Sequence, residues 1–176
     1  GLTNRKNWEK HWNNVMRDPI ERINLLKAKI INHDFCPKNL PTFPIKKSYQ
    51  KGGFKSAHIE LKSFFIGRGS EYSKNISKPE KSRYTCSRLS PYISYGNISI
   101  REIYKALLNS WDKPGWRRSM KAFSSRLHWH CHFIQKFESE ITIENEPVNS
   151  GYKNFPYLIF DKSHSNFQLW AHGKTG

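Results

Sequence analysis

The sequence predicts an all-α protein. Apolar residues recur at intervals of three and four over 116–138, Ser99 and Glu102 form an S-x-x-E signature directly before a second such run, and neither an internal repeat nor a strand pair stands out. Taken in order, Trp8, Trp12, Val15 and Met16 make one stripe and predict a helix over 8–17. Asp18-Pro19-Ile20-Glu21 then has the chemistry of a helix start: Asp18 can cap, Pro19 suits the first turn, and Glu21 faces the positive end of the dipole. The expected face of that helix is Ile20, Ile23, Leu26 and Ile30, broken by the snorkelling Lys27. From 33 to 53, Pro37, Pro41, Pro44 and the pair Gly52-Gly53 leave no regular element, so residues 1–50 are read as N-terminal helices followed by a proline-rich linker.

The second region, 51–176, opens with a helix over 54–65, whose Phe54, Ala57, Leu61, Phe64 and Phe65 share a side, and Gly67-Arg68-Gly69-Ser70 ends it. The polar stretch 71–84 is expected to be a surface loop leading into Thr85-Cys86-Ser87-Arg88-Leu89-Ser90-Pro91-Tyr92. After the capping box come Ile103, Tyr104, Leu107, Leu108 and Trp111, and Pro114-Gly115 breaks that helix. The long pattern over 116–138 carries Met120, Phe123, Leu127, Cys131, Ile134 and Phe137. Beyond it, 141–176 is irregular except for a helical turn expected over 166–170.

The chain has 176 residues, of which 36% are hydrophobic and 14% aromatic, enough for one core. Thirty Lys and Arg against fourteen Asp and Glu give a net charge of +16. Such a charge repels itself unless a polyanion is near, which points to nucleic acid or an anionic surface as partner. No apolar run reaches the ~18 to 20 residues of a membrane span, and Gly1 to Asn7 hold no hydrophobic signal core. Cys36, Cys86 and Cys131 are odd in number and far apart, which argues against a disulfide framework and for a reducing compartment. The expected location is cytoplasmic, at the nucleoid in a bacterium.

Three constellations bear on chemistry. His128-Trp129-His130-Cys131-His132 places His128 and His132 on one helical face, but position 129 is not the glutamate a zinc-protease helix needs, and no C-x-x-C supplies further ligands. These read as ordinary helix histidines, with no metal site. Ser87-Arg88-Leu89-Ser90-Pro91 combines small hydroxyls with a guanidinium, a set that suits a phosphate, although such pairs in loops are usually solvated or cap a helix. Trp129 reads by periodicity as core, with an aromatic face that stacks on an unstacked base as the sharper alternative.

Ser87-Arg88-Leu89-Ser90-Pro91-Tyr92, followed by Gly96-Asn97-Ile98-Ser99 with Arg101 and Tyr104, resembles the photolyase/cryptochrome family, in which T-S-R-L-S-P-Y-L leads to a G-x-[IL]-S-x-R helix. The aromatic helix with Trp129 and the stretch Phe167-Gln168-Leu169-Trp170-Ala171-His172-Gly173-Lys174-Thr175-Gly176, similar to F-x-x-W-x-x-G-[KR]-T-G, continue the resemblance in the same order over about 52–176. Gly52-Gly53 before a helix and Tyr72 upstream fit the same pattern.

The resemblance implies the N-terminal part of a helical domain that binds FAD in a U-shaped conformation. By position it places Tyr72 at the FAD phosphates and Cys86, Ser87, Arg88, Leu89 and Ser90 around the pyrophosphate through backbone and hydroxyl groups. Phe123 and His130 fall on the flavin side of the long helix, and Arg126 and Trp129 on the lesion side. Cys86 stands where threonine is usual, Arg126 where glutamate is frequent, His130 where arginine is frequent, and Phe160 where a tryptophan often ends the electron-hopping chain. The implied function is light-driven splitting of cyclobutane pyrimidine dimers in damaged DNA by reduced FAD, with no side chain acting as acid, base or nucleophile. A cryptochrome-type photoreceptor and a light-independent nucleic-acid-binding module are the alternatives. Further helices after Gly176 and an N-terminal antenna-chromophore domain are also implied, so the chain is expected to be an incomplete fragment. Alone it should be inactive, hold FAD weakly or not at all, and tend to self-associate through Phe155, Leu158, Phe167 and Trp170.

Overall fold

A computed structural model describes residues 7–21, 24, 49–157 and 161–175. The chain is mostly helical, and no strand occurs among the described residues. Two compact units divide at Phe133/Ile134, inside the longest helix.

In the first unit, α1 (Trp8–Arg17) forms as its stripe predicts, and Trp12 is buried. The helix start expected at Asp18 is not there: Asp18 caps the C-terminus of α1 with ψ 147°, and 19–21 are not helical. The Asp18 N–H donates to the Asn14 carbonyl at 3.2 Å, so this aspartate closes one helix where its sequence context suggested that it opened another. The expected positions Ile23, Leu26, Lys27 and Ile30, and the linker over 33–48, lie outside the described residues.

Helix α2 (Phe54–Ile66) comes after Gly53, whose φ of 95° suits glycine. Its Ala57, Phe64 and Phe65 are buried, while Phe54 is exposed. A 3-10 turn, Arg68–Glu71, comes next, and Gly69 is the residue that permits it: a Cβ there would meet the Phe64 carbonyl at 2.7 Å. The stretch 71–84 is not a loop. It folds as α3 (Tyr72–Asn75) and α4 (Pro79–Thr85), with Pro79 in the first turn and Tyr72 and Asn75 buried. Its serines and lysines hide a local helix signal, Pro-Glu at an N-terminus, and Tyr72 joins the aromatic core.

Helix α5 (Ser90–Ser94) is short and buries Tyr92, whose hydroxyl donates to the Lys51 carbonyl at 2.8 Å. In α6 (Ile100–Asn109) the capping box is complete: Glu102 N–H to Ser99 Oγ at 3.1 Å and Ser99 N–H to Glu102 Oε2 at 2.9 Å. Helix α7 (Arg117–Ser139) buries Ser119, Met120, Phe123 and Leu127. Ser119 links α7 to the start of α3: its hydroxyl donates to the Ser70 carbonyl at 2.7 Å and accepts from the Ser73 N–H at 3.1 Å.

The core is aromatic. Phe64, Phe65, Tyr72 and Phe123 pack with ring centroids 4.8 to 5.9 Å apart, mostly edge to face. A second cluster seats α1, with Trp12 stacked on His128 at 3.6 Å and edge-on to Tyr104 at 4.8 Å. That contact puts α1 in the same compact unit as 49–133.

The second unit, from Ile134, holds the end of α7, two 3-10 turns (Ile141–Glu144 and Ser150–Tyr152) and α8 (Ser165–Ala171), the turn expected over 166–170. Phe155 and Trp170 are exposed and Phe167 is half-buried. Leu158 and Phe160 lie outside the described residues. No helix among the described residues is long and apolar enough to cross a membrane.

Candidate functional site

The Cys86–Ser90 turn is held from behind. Arg68, from the 3-10 turn after α2, donates through Nη1 to the Cys86 carbonyl and through Nη2 to the Ser87 carbonyl at 3.0 Å. Its remaining bonds go to α2: Nε to Ser63 Oγ at 2.9 Å, and Nη2 to the Glu60 carbonyl at 3.1 Å and to Glu60 Oε2. Gln50 Nε2 donates to the Arg88 carbonyl at 3.0 Å. Leu89 is buried in the core, Cys86, Ser87 and Arg88 are half-buried, and Ser90 is exposed. Sequence reading passed over Arg68, Glu60 and Gln50, because their partners lie five to thirty-eight residues away.

Arg88 has φ 61°, the left-handed region that non-glycine residues avoid. Leu89 comes next at φ −90° and ψ −13°. A left-handed residue before a right-handed one turns successive backbone N–H groups into a concavity that accepts anions. The peptides agree with this. In a planar trans peptide the N–H opposes the C=O, so holding the carbonyls of Cys86, Ser87 and Arg88 turns the N–H groups of Ser87, Arg88 and Leu89 away from Arg68 and Gln50. Among the described residues, the Leu89 N–H has only a long contact, 3.5 Å, to Ser87 Oγ.

The electrostatics point the same way. Burial lowers the Arg68 guanidinium from its ordinary value, with Glu60 opposing and Arg88 adding. Burial raises the Cys86 thiol, against the pull of Arg68 and Arg88. Arg68 is neutralised by Glu60, but Arg88 and Arg126 have no carboxylate within ion-pair distance among the described residues. The neighbourhood is therefore short of negative charge.

Tyr72 connects the turn to α7. Its ring packs on Phe123 of α7 at 5.5 Å, and it lies within electrostatic range of Cys86 and Arg126. Burial pushes the Tyr72 phenol from 10.0 to about 12, with Cys86 adding and Arg126 opposing. Between those two values the unfolded chain has lost the proton that the folded chain keeps, so stability should fall as pH rises through this window. Tyr72→Phe should flatten that fall, which denaturant unfolding at a series of alkaline pH values would read.

On the far side of Arg126, its guanidinium lies over the Trp129 ring at 5.2 Å. Trp129 is 53% exposed, so the core reading of this tryptophan is replaced by that of an open aromatic face. It falls on the side of α7 away from Met120 and Leu127, and Phe133 meets it edge-on at 5.9 Å. Phe123, expected beside a flavin, is buried among the aromatics of the core. His130 is half-buried, and its Nδ1 is buried without a hydrogen-bond partner among the described residues. Tyr72 and Phe123 are thus in ring contact and Arg126 lies over Trp129, while no hydrogen bond, ion pair or ring contact among the described residues ties the side chains of Cys86, Arg88 or His130 to either pair. A cavity of about 250 Å³ is lined by Ser73, Lys74, Trp116, Arg118 and Ser119 among others, and by none of the expected site residues.

Compared with protein-family models, with curated proteins and with solved structures, the chain matches none of them.

Proposed function

We propose that this chain forms the diphosphate-binding and lesion-facing part of a helical FAD-binding domain of the photolyase/cryptochrome type, in a protein that splits cyclobutane pyrimidine dimers in DNA on illumination. The observation that carries the reading is the Arg88 turn, left-handed at φ 61°, with the carbonyls of residues 86–88 held by Arg68 and Gln50 so that its amides face away from those side chains. An exposed aromatic face, Trp129 beside Arg126, about forty residues on in the chain adds to it. Neither feature alone would separate a flavin nucleotide from a solvated loop. Together they supply an anion-accepting turn for a diphosphate and an aromatic platform for a base.

The residues fit the group at its phosphate end. Arg88 and the amides of Ser87 and Leu89 would hold the diphosphate, where the left-handed Arg88 and the shortage of carboxylates both favour an anion. The orphaned Nδ1 of His130 is a polar atom that a flavin-side partner would satisfy. Reduced FAD, when bound, supplies the photoexcited electron that opens the dimer. Trp129 gives a flipped-out dimer an aromatic wall in place of lost stacking, and Arg126 stiffens that ring while presenting charge to a nearby phosphate. The net charge of +16 draws the DNA backbone, so affinity should fall steeply with salt.

The test uses the full-length protein with FAD and an oligonucleotide carrying one thymine dimer. Flavin retention and dimer loss only under blue or near-ultraviolet light are expected. Flavin retention without dimer loss would mark a photoreceptor, and DNA binding without flavin would leave only a basic helical binder. Trp129→Ala should lower the preference for damaged over undamaged DNA by ~1 to 3 kcal/mol, the size of one base–aromatic stack. Competition binding with the two oligonucleotides checks this, and an unchanged ratio would remove Trp129 from the lesion face.

A further inference from the structure

We infer that Arg68 is the positioning residue of the diphosphate turn: it presets the backbone of Cys86–Leu89 before any ligand arrives. The inference rests on the proposed flavin reading for the identity of the ligand, though not for the geometry.

A left-handed arginine is strained against a right-handed one by the clash of its Cβ with the backbone, so φ 61° at Arg88 persists only where its surroundings over-determine it. Three carbonyl anchors do so, and two come from one side chain. The planar fork of Arg68 reaches the carbonyls of Cys86 and Ser87 together, while Gln50 takes that of Arg88. A lysine at 68 could match the charge but not the two fixed directions.

Arg68 is itself immobilised. Ser63 takes its Nε–H, the Glu60 carbonyl and carboxylate share Nη2 with the Ser87 carbonyl, and its guanidinium lies over the Phe64 ring at 5.7 Å. With only 20% of its side chain exposed and its charge neutralised by Glu60, it is poorly placed to touch a phosphate. Its effect on an anion therefore passes through the turn. Arg88, on the same turn and with no carboxylate in ion-pair range among the described residues, is the arginine left to meet the ligand. The two arginines divide the work: one shapes the backbone and the other carries the free charge.

The experiment compares parent, Arg68→Gln and Arg68→Lys in the full-length protein. Amide hydrogen exchange is measured without ligand, and affinities are measured for FAD, inorganic pyrophosphate and undamaged duplex DNA. Arg68→Gln should speed exchange at Cys86 and Ile93, whose N–H groups bond to the Ser82 and Leu89 carbonyls at either end of the turn, by at least tenfold while α6 and the buried part of α7 keep their protection. It should weaken FAD and pyrophosphate by tenfold or more and leave duplex DNA affinity unchanged. Arg68→Lys should fall between the two, and it keeps the test open if Arg68→Gln fails to fold. Unchanged exchange at the turn, or an equal rise throughout the unit, would overturn the inference and leave Arg68 a general stabiliser. Parent protein that binds neither FAD nor pyrophosphate would overturn the flavin reading, and the exchange pattern would still judge Arg68. Parent and both variants binding FAD equally would overturn the role of Arg68 and leave the flavin reading intact.

Discussion

Phe64→Ala is expected to lower the unfolding free energy by ~3 to 5 kcal/mol, the usual cost of emptying a phenylalanine site in a packed core. Phe64 is fully buried and meets Phe65, Tyr72 and Phe123 with centroids 5.1, 5.6 and 4.8 Å away. Its ring also lies under Arg68, and its carbonyl abuts Gly69, so collapse around the cavity would disturb the turn that carries Arg68. Urea unfolding monitored by tryptophan fluorescence gives the number. A loss under ~1 kcal/mol would mean that the site refills easily, and that the aromatic cluster is not the rigid base on which Tyr72 and Arg68 stand.

Arg88→Gly should separate stability from binding. Glycine adopts φ 61° without the Cβ clash, which relieves roughly 1 to 2 kcal/mol, while its greater freedom in the unfolded chain returns ~0.5 to 1 kcal/mol. Stability should therefore hold level or rise by up to ~1.5 kcal/mol. On the proposed reading the lost guanidinium removes charge-assisted bonds to the diphosphate, worth ~1.5 to 3 kcal/mol, or about tenfold to more than a hundredfold in FAD affinity. Arg88→Ala is the informative partner variant: it should lose the same affinity without the gain in stability, because alanine is strained at that φ as arginine is. Calorimetric FAD titration and thermal unfolding of both variants decide it. An Arg88→Gly protein that retains FAD like its parent takes Arg88 out of the site, and one that unfolds several degrees lower shows that the left-handed turn is not strained.

The helices that sequence reading found are those whose signals are local. Apolar residues three and four apart place α1, α2, α6 and α7 because the helical period brings them to one face wherever the helix docks. The Ser99–Glu102 box closes within four residues and needs no tertiary partner. Where reading failed, the deciding contact was distant. Asp18 looks like a cap from its neighbours, yet it ends α1. The 71–84 stretch looks solvated, but Tyr72 is drawn into a cluster with Phe64 and Phe123, and its polar residues form two short helices around that anchor. Trp129 fits the apolar rhythm of α7 loosely enough to pass for core, and only the packing of Met120, Phe123 and Leu127 shows which arc faces inward.

The candidate site divides in the same way. The residue types of the Ser87–Ser90 turn and of the Trp129 helix were legible, since hydroxyls, a guanidinium and a large ring announce their chemistry one by one. Their setting was not, because the left-handed Arg88 rests on the distant Arg68 and Gln50, and the openness of Trp129 on which arc of α7 meets the core. By itself the sequence determined the all-α class, the long helix, the capping box and the excess of positive charge, all of which come from spacing within a turn or two or from simple counting. Only the tertiary structure decided that Arg88 sits left-handed, that Arg68 clamps carbonyls eighteen and nineteen residues away, and that Trp129 is open, because each depends on which distant surfaces meet when the aromatic core closes.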